Sequence, residues 1–162
     1  MIQIHFSVFW ITALWLLILP MDWFLATVLA SIIHELCHMI MLYALNGRIH
    51  NLEVHARGCV IETDIIEDRK QFMSILAGPL GSLLLLLLYR TLPKLAVCGF
   101  IQGVYNLIPV FPLDGGRLLQ LILYRICPAQ AEKVMSWIKM GMILLIASVI
   151  IMLFRNSFNF LS

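Results

Sequence analysis

The longest constraint on this chain is a set of apolar runs, and one of them, Trp23 to Leu45, carries His34-Glu35-Leu36-Cys37-His38 in its interior. A run of that length reads as a membrane-spanning helix, since roughly 20 residues at about 1.5 Å each cross the hydrocarbon of a bilayer. An ionisable group at mid-bilayer is unfavourable by roughly 2.5–3.5 kcal/mol on insertion scales. Three polar side chains within five residues therefore need a compensating interaction, and a bound cation supplies one. On a helix His34 and His38 lie one turn apart on the same face, so both imidazoles can share one ion. Glu35 beside them is placed to take a proton from a metal-bound water rather than to hold the metal. In a water-soluble helix the same residues would as readily form a solvated patch; the apolar setting favours a zinc site.

The rest of the composition agrees with a membrane chain of a single domain spanning residues 1–162. Hydrophobic residues make up 62% and charged residues 12%, and the mean hydropathy is +0.96. A soluble domain keeps about a quarter of its residues charged, so this chain could not cover a globule with polar groups. No basic cluster is interleaved with aromatics, which excludes a nucleic-acid interface. Cys37, Cys59, Cys98 and Cys127 are isolated, without a C-x-x-C pair; neither a thiolate zinc site nor a disulfide framework is suggested. The first apolar run has no basic lead and no small-x-small cleavage site, so it is expected to be retained as a span.

The fold expected is an all-α polytopic membrane protein of five or six transmembrane helices, one of them broken, with a small β-hairpin at the cytoplasmic membrane surface. The spans fall at about 4–19, 22–45, 71–89, 95–126 and 139–154. Ile2 and Ile4 can extend the first, Asp22 is a natural N-cap for the second, and Asn46-Gly47 ends it in a C-cap pattern. Thr27, Ser31, His34 and His38 make one polar stripe, expected to face the bundle interior, with the Thr27 and Ser31 hydroxyls expected to bond to backbone. Between the second and third spans, residues 48–66 turn to mixed charge. Leu52 to Ala56 alternates apolar with polar, Arg57-Gly58 suggests a turn, and Cys59 to Thr63 is β-rich. The hairpin either covers the end of the bundle or pairs its edge with an extended peptide; His50 and His55 in it read as solvated strand residues. In the third span Ser74, Gly78 and Ser82 line one face with small side chains, which lets another helix approach closely, and Pro79 is expected to bend it.

The fourth run is interrupted by Asn106-Leu107-Ile108-Pro109-Val110-Phe111-Pro112-Leu113-Asp114-Gly115-Gly116. Two prolines three apart followed by two glycines forbid a continuous helix over 106–114. Non-helical backbone at membrane depth is tolerated only where it is buried in protein or lines a wet cavity, so this segment should border a site. Asp114 then becomes the natural third ligand. Two imidazoles and a carboxylate leave zinc's fourth position open, the arrangement used for catalysis, with one Zn2+ per chain. Asn106 can hold substrate backbone or stabilise an oxyanion, or simply cap the broken helix. With the N-terminus inside, Arg48, Arg57, Arg69, Lys70, Arg125, Lys133 and Lys139 fall on the cytoplasmic side and Arg90, Lys94 and Arg155 outside, in the sense of the positive-inside rule. His34 and His38 then lie nearer the cytoplasmic end of their helix.

Three stretches together, His34-Glu35-Leu36-Cys37-His38, Ala77-Gly78-Pro79-Leu80-Gly81-Ser82 and Asn106 to Gly116, resemble the site-2 protease family of intramembrane zinc metalloproteases. The resemblance runs from the first span to about Phe154 and looks closest to the sporulation branch, whose members cleave a membrane-tethered sigma-factor precursor. It implies zinc held by His34, His38 and Asp114, Glu35 as catalytic base and Asn106 near the substrate. It also implies a membrane-tethered protein substrate, a lipid bilayer around the chain and inhibitory membrane proteins as partners. The location implied is the cell membrane, either the bacterial inner membrane or the membrane around the forespore, with the active site facing the cytoplasm. Cys37 stands where the family usually has glycine. The sporulation branch typically continues into a sixth span and a CBS domain that these residues do not include, so nucleotide regulation is not carried over. Two other classes fit a polar intramembrane cluster: a metal-ion transporter, disfavoured because no repeated half with matching broken helices is present, and an idle zinc-bound receptor for membrane segments.

Overall fold

The computed structural model describes residues 2–4, 14–47, 49–55, 58–63 and 67–161, with side chains for 14–47 and 67–152. Helix α1, Met21–Ala44, starts directly after Pro20, whose ψ of 145° is extended. Asp22 therefore sits inside the first turn rather than at the N-cap, where its carboxylate still faces the positive end of the helix. It accepts a hydrogen bond from the Trp23 N–H at 3.0 Å and pairs with Lys94. The other end closes as the sequence suggests. Asn46 takes a left-handed φ of 57°, and the Asn46 and Gly47 N–H groups donate to the carbonyls of Tyr43 and Leu42 at 3.0 and 2.9 Å. Those bonds satisfy carbonyls that the last turn would otherwise leave unpaired.

Helix α2, Asp68–Leu84, tightens into a 3-10 turn at Leu85–Leu88. Helix α3, Pro93–Asn106, has its proline in the first turn, where a missing N–H removes no intrahelical bond. After the break at 107–113 come α4, Asp114–Ile126, and α5, Ala131–Leu161. Three described helices are long and apolar enough to cross a membrane: Met21–Ala44, Asp68–Leu88 and Ala131–Met152. The five or six spans expected from the sequence are not supported. The 95–126 run becomes two helices of 14 and 13 residues, each rising about 20 Å against the roughly 30 Å of a bilayer core. The last helix contains the span expected at 139–154 and begins before it, the polar start at Glu132 and Lys133 running continuously into the apolar part. Of the first run, 14–18 are helical and 5–13 lie outside the described residues.

Ile2 and Ile4 do not extend that helix. They belong to strand β1, Ile2–Ile4, which pairs in parallel with β2, Ile49–His55, placing Ile2 opposite Leu52 and Ile4 opposite Val54. An antiparallel partner, β3, Gly58–Thr63, completes the order β1-β2-β3, with Val54 opposite Cys59. Arg57, and the side chains of His50 and His55, lie outside the described residues. Beyond this sheet every described element is a helix.

α1, α2 and α3 pack on one another around Ala30, Leu85 and Leu95, with Ile33 and Cys98 against them. Lipid is as apolar as leucine, so close approach of small residues rather than apolar burial has to hold such helices together. Ala96, Gly99 and Gly103 supply that face on α3, and Ser74, Gly78 and Ser82 supply it on α2. A Cβ on Gly99 would collide with Leu85 and the Ser82 carbonyl. The outward residues stay apolar, among them Leu25, Ile32 and Ile40 on α1, Leu84 at the end of α2 and Leu87 just after it, and Ile143 to Ile146 on α5. That distribution suits a chain surrounded by lipid.

Candidate metal centre

Along α1 the buried residues are Ala30, His34, His38 and Leu42, a single stripe at steps of four. It faces the small-residue side of α2, and the fit there is close. A Cβ on Gly78 would fall on the His38 imidazole, and one on Gly81 would fall on Cys37 Sγ. Gly81 thus makes the room for a cysteine in the middle of the motif. Thr27 faces inward and also satisfies its hydroxyl locally, donating to the Trp23 carbonyl at 2.9 Å with Cys98 Sγ of α3 at 3.4 Å. Ser31 lies 3.5 Å from Gln102 on α3.

Asp114 reaches the same place from the far end of the chain. It opens α4, so its carboxylate lies at the positive end of that helix. The first turn of α4 lies directly on the broken segment: a Cβ on Gly115 would overlap the Leu107 and Ile108 carbonyls, and one on Gly116 would overlap backbone of Val110 and Phe111. The paired glycines are what allow the helix to begin there. The Phe111–Pro112 peptide within the segment is cis.

The three side chains converge. His34 Nε2 and His38 Nε2 lie 3.0 and 3.2 Å from the same Asp114 oxygen, Oδ2, and 3.3 Å from each other. All three residues are buried, at 3%, 8% and 7% exposure. Each imidazole is held from behind. The His38 Nδ1–H donates to the Ser74 carbonyl at 2.8 Å, and since a carbonyl can only accept, this tautomer turns the Nε2 lone pair inward. His34 Nδ1 lies 2.8 Å from the hydroxyl of Ser82, which is fully buried. Asn106, the last residue of α3, brings Nδ2 to 3.3 Å from His34 Nε2. Glu35 follows His34 on α1 and is partly buried.

This donor set fits a zinc ion. Bonds of about 2.0–2.1 Å in a tetrahedral shell place ligand atoms roughly 3.3 Å apart, close to the separations seen. With His38 Nε2 turned inward by its carbonyl partner, and with His34 in the same tautomer, two nitrogen lone pairs and a carboxylate oxygen crowd one point, an arrangement that a shared cation relieves. The partners on Nδ1 are those that orient ligating histidines. His34, His38 and Asp114 form a group able to hold a metal ion.

The profile of peptidase family M50 matches residues 66–148, and that of the M50B-like peptidases matches residues 7–101. The chain belongs to peptidase family M50. A zinc metalloprotease of Methanocaldococcus jannaschii is 30% identical to this M50 chain over 114 residues, which cover 62% of the chain and 34% of that protein. The match therefore spans about a third of the length of that curated relative. A solved structure of a site-2 protease from the same organism shares the fold, with a TM-score of 0.70 at 23% identity, over 93% of this chain and 81% of the other.

The sequence singled out His34, His38, Asp114, Glu35 and Asn106, and the first three together with Asn106 meet at one point. Ser82 and the Ser74 carbonyl were not among them. A signal for Ser82 was present: a hydroxyl followed by a run of leucines is an intramembrane polar group that needs a partner. The Ser74 contact runs through backbone, so no side-chain pattern announces it.

Proposed function

We propose that this M50 chain is an intramembrane zinc metalloprotease that hydrolyses a peptide bond in or near the transmembrane segment of a membrane-tethered protein, of the kind represented by sigma-factor precursors. The observation that carries this reading is the buried convergence of His34 Nε2, His38 Nε2 and Asp114 Oδ2, built on an apolar helix long enough to span a bilayer. His34, His38 and Asp114 are the ligands in this reading, for one zinc per chain. The ion when bound supplies Lewis acidity, toward the scissile carbonyl and toward a water molecule.

The chain's own residues do the rest. Glu35 takes a proton from the attacking water and returns it to the departing amine, so that water and amide become acid and amine with the carboxylate regenerated. Asn106 Nδ2 donates to the carbonyl oxygen as negative charge develops on it. Ser82 and the Ser74 carbonyl keep both imidazoles turned toward the centre. A helical substrate hides its carbonyls in intrahelical hydrogen bonds, so the cleaved segment must unwind locally, and the broken 107–113 segment with the three-stranded sheet is where it is held extended. Arg69, Lys70 and Arg125, gathered at the end of the bundle where the span Asp68–Leu88 begins, favour a multi-pass chain in the cell membrane with its centre and sheet toward the cytoplasm, subject to inhibition by membrane proteins that cover the sheet.

The test is co-expression of the full chain with tethered transcription-factor precursors, comparing wild type with Glu35→Gln. Wild type releases a product. Glu35→Gln keeps stoichiometric zinc and loses about 10²–10⁴-fold in cleavage rate, the contribution of a general base. Wild-type cleavage by Glu35→Gln would show that another group is the base. Zinc without any product from wild type would favour a zinc-bound receptor, and zinc flux across proteoliposomes a transporter.

A further inference from the structure

A groove lies at the charged end of the bundle, on the turns of α2 that precede Ser74. The N-terminal turns of α2 and the C-terminal turns of α4 enclose a groove of about 340 Å³ lined by Asp68, Arg69, Phe72, Met73, Leu121, Ile122 and Arg125. We propose that this groove seats one anionic phospholipid, its phosphate between Arg69 and Arg125 and the start of an acyl chain on Phe72, Met73, Leu121 and Ile122.

The groove has the polarity of a lipid in a leaflet. Residues 74–82 of α2 and Asp114 of α4 meet at the metal centre, whereas residues 68–73 and 121–125 meet in the groove, so the two helices run antiparallel. Arg69 precedes Phe72 and Met73 by three and four residues, and Arg125 follows Ile122 and Leu121 by three and four. The backbones of both arginines therefore stand about one helical turn, roughly 5.4 Å, farther out than the apolar lining and at the same end. That end is where the span Asp68–Leu88 begins, the level at which phosphates lie. Charge fits as well. Asp68 offsets one of the two arginines and leaves one positive charge in excess, while the neighbouring Lys70 is engaged with Glu67 at 3.0 Å. Guanidinium forks bind phosphate oxygens in pairs. An acidic peptide would satisfy the arginines but has no use for an apolar floor running inward along the membrane normal.

The proposal rests on α2 crossing the membrane and not on the protease reading, so it can fail while zinc binding and cleavage stand. The experiment is native mass spectrometry of the delipidated full chain in neutral detergent, titrated with phosphatidylglycerol, phosphatidylcholine or inorganic phosphate. One phosphatidylglycerol per chain should be retained in preference to phosphatidylcholine. Arg69→Ala with Arg125→Ala should weaken retention about tenfold or more. Ile122→Trp, which fills the groove without changing charge, should weaken it too, while Lys133→Ala should not. Zinc content and helicity measured alongside report that each variant is folded. Equal retention of the two lipids, unchanged retention in the double variant or in Ile122→Trp, or displacement of the lipid by inorganic phosphate or an acidic peptide at equal concentration would each overturn it.

Discussion

Ser82 and Ser74 sit on the same face of α2, eight residues apart, and both touch the nitrogen behind an imidazole, yet by different atoms. Ser82 uses its hydroxyl and Ser74 its carbonyl. Ser82→Ala therefore removes the partner of His34 Nδ1, whereas Ser74→Ala leaves the partner of His38 in place. Loss of a group that orients a ligating histidine lowers metal affinity by about 10–100-fold, or about 1.4–2.7 kcal/mol. The upper part of that range applies here. Ser82 is 0% exposed, and the space left by one oxygen is about the smallest that could admit a water molecule, so solvent is a poor substitute for the hydroxyl. The assay is competition for zinc between a chromogenic chelator and the full chain in detergent, for wild type and the two variants. The expected result is a weakening toward 100-fold for Ser82→Ala and less than twofold for Ser74→Ala. Equal affinities for the two variants would refute the assignment of Ser82 as the residue that orients His34.

Gly78→Ala puts a methyl group on the His38 ring and should cost about 1–3 kcal/mol of stability together with much of the zinc affinity, read by thermal unfolding and metal content. Gly115→Ala drives a methyl group into the Leu107 and Ile108 carbonyls; because backbone cannot swing aside as a side chain can, Asp114 is expected to shift and zinc stoichiometry to fall below that of Gly78→Ala. Chelation of the metal from wild type should lower the unfolding temperature, since an ion bound only by the folded state stabilises it by mass action; zinc should restore it, and an unchanged unfolding temperature would argue against a metal in this centre.

Much of the centre could be read from the sequence because its parts are local. The spacing of His34 and His38 follows from helical geometry wherever the helix packs, and Pro109, Pro112, Gly115 and Gly116 break a helix regardless of their neighbours. The Asn46-Gly47 stop is equally local, since it needs only a left-handed residue after the last turn. What the sequence misjudged was non-local. Ile2 and Ile4 look like the start of an apolar helix until β2, some fifty residues later, offers a parallel partner. The span count is unsupported for a related reason: the 95–126 run, expected as a single broken span, forms two helices of which neither alone is long enough to cross.

The sequence by itself determined that an apolar helix carries two imidazoles on one face and that a carboxylate follows an unavoidable interruption, because backbone periodicity and proline and glycine sterics act over a few residues. Only the tertiary structure decided that these groups meet at separations near 3 Å, that Ser82 and the Ser74 carbonyl fix the two rings, and that Gly78 is where α2 lies against His38. Those outcomes depend on how closely helices far apart in the chain approach and at what rotation, and interlocking side chains and missing Cβ atoms set both.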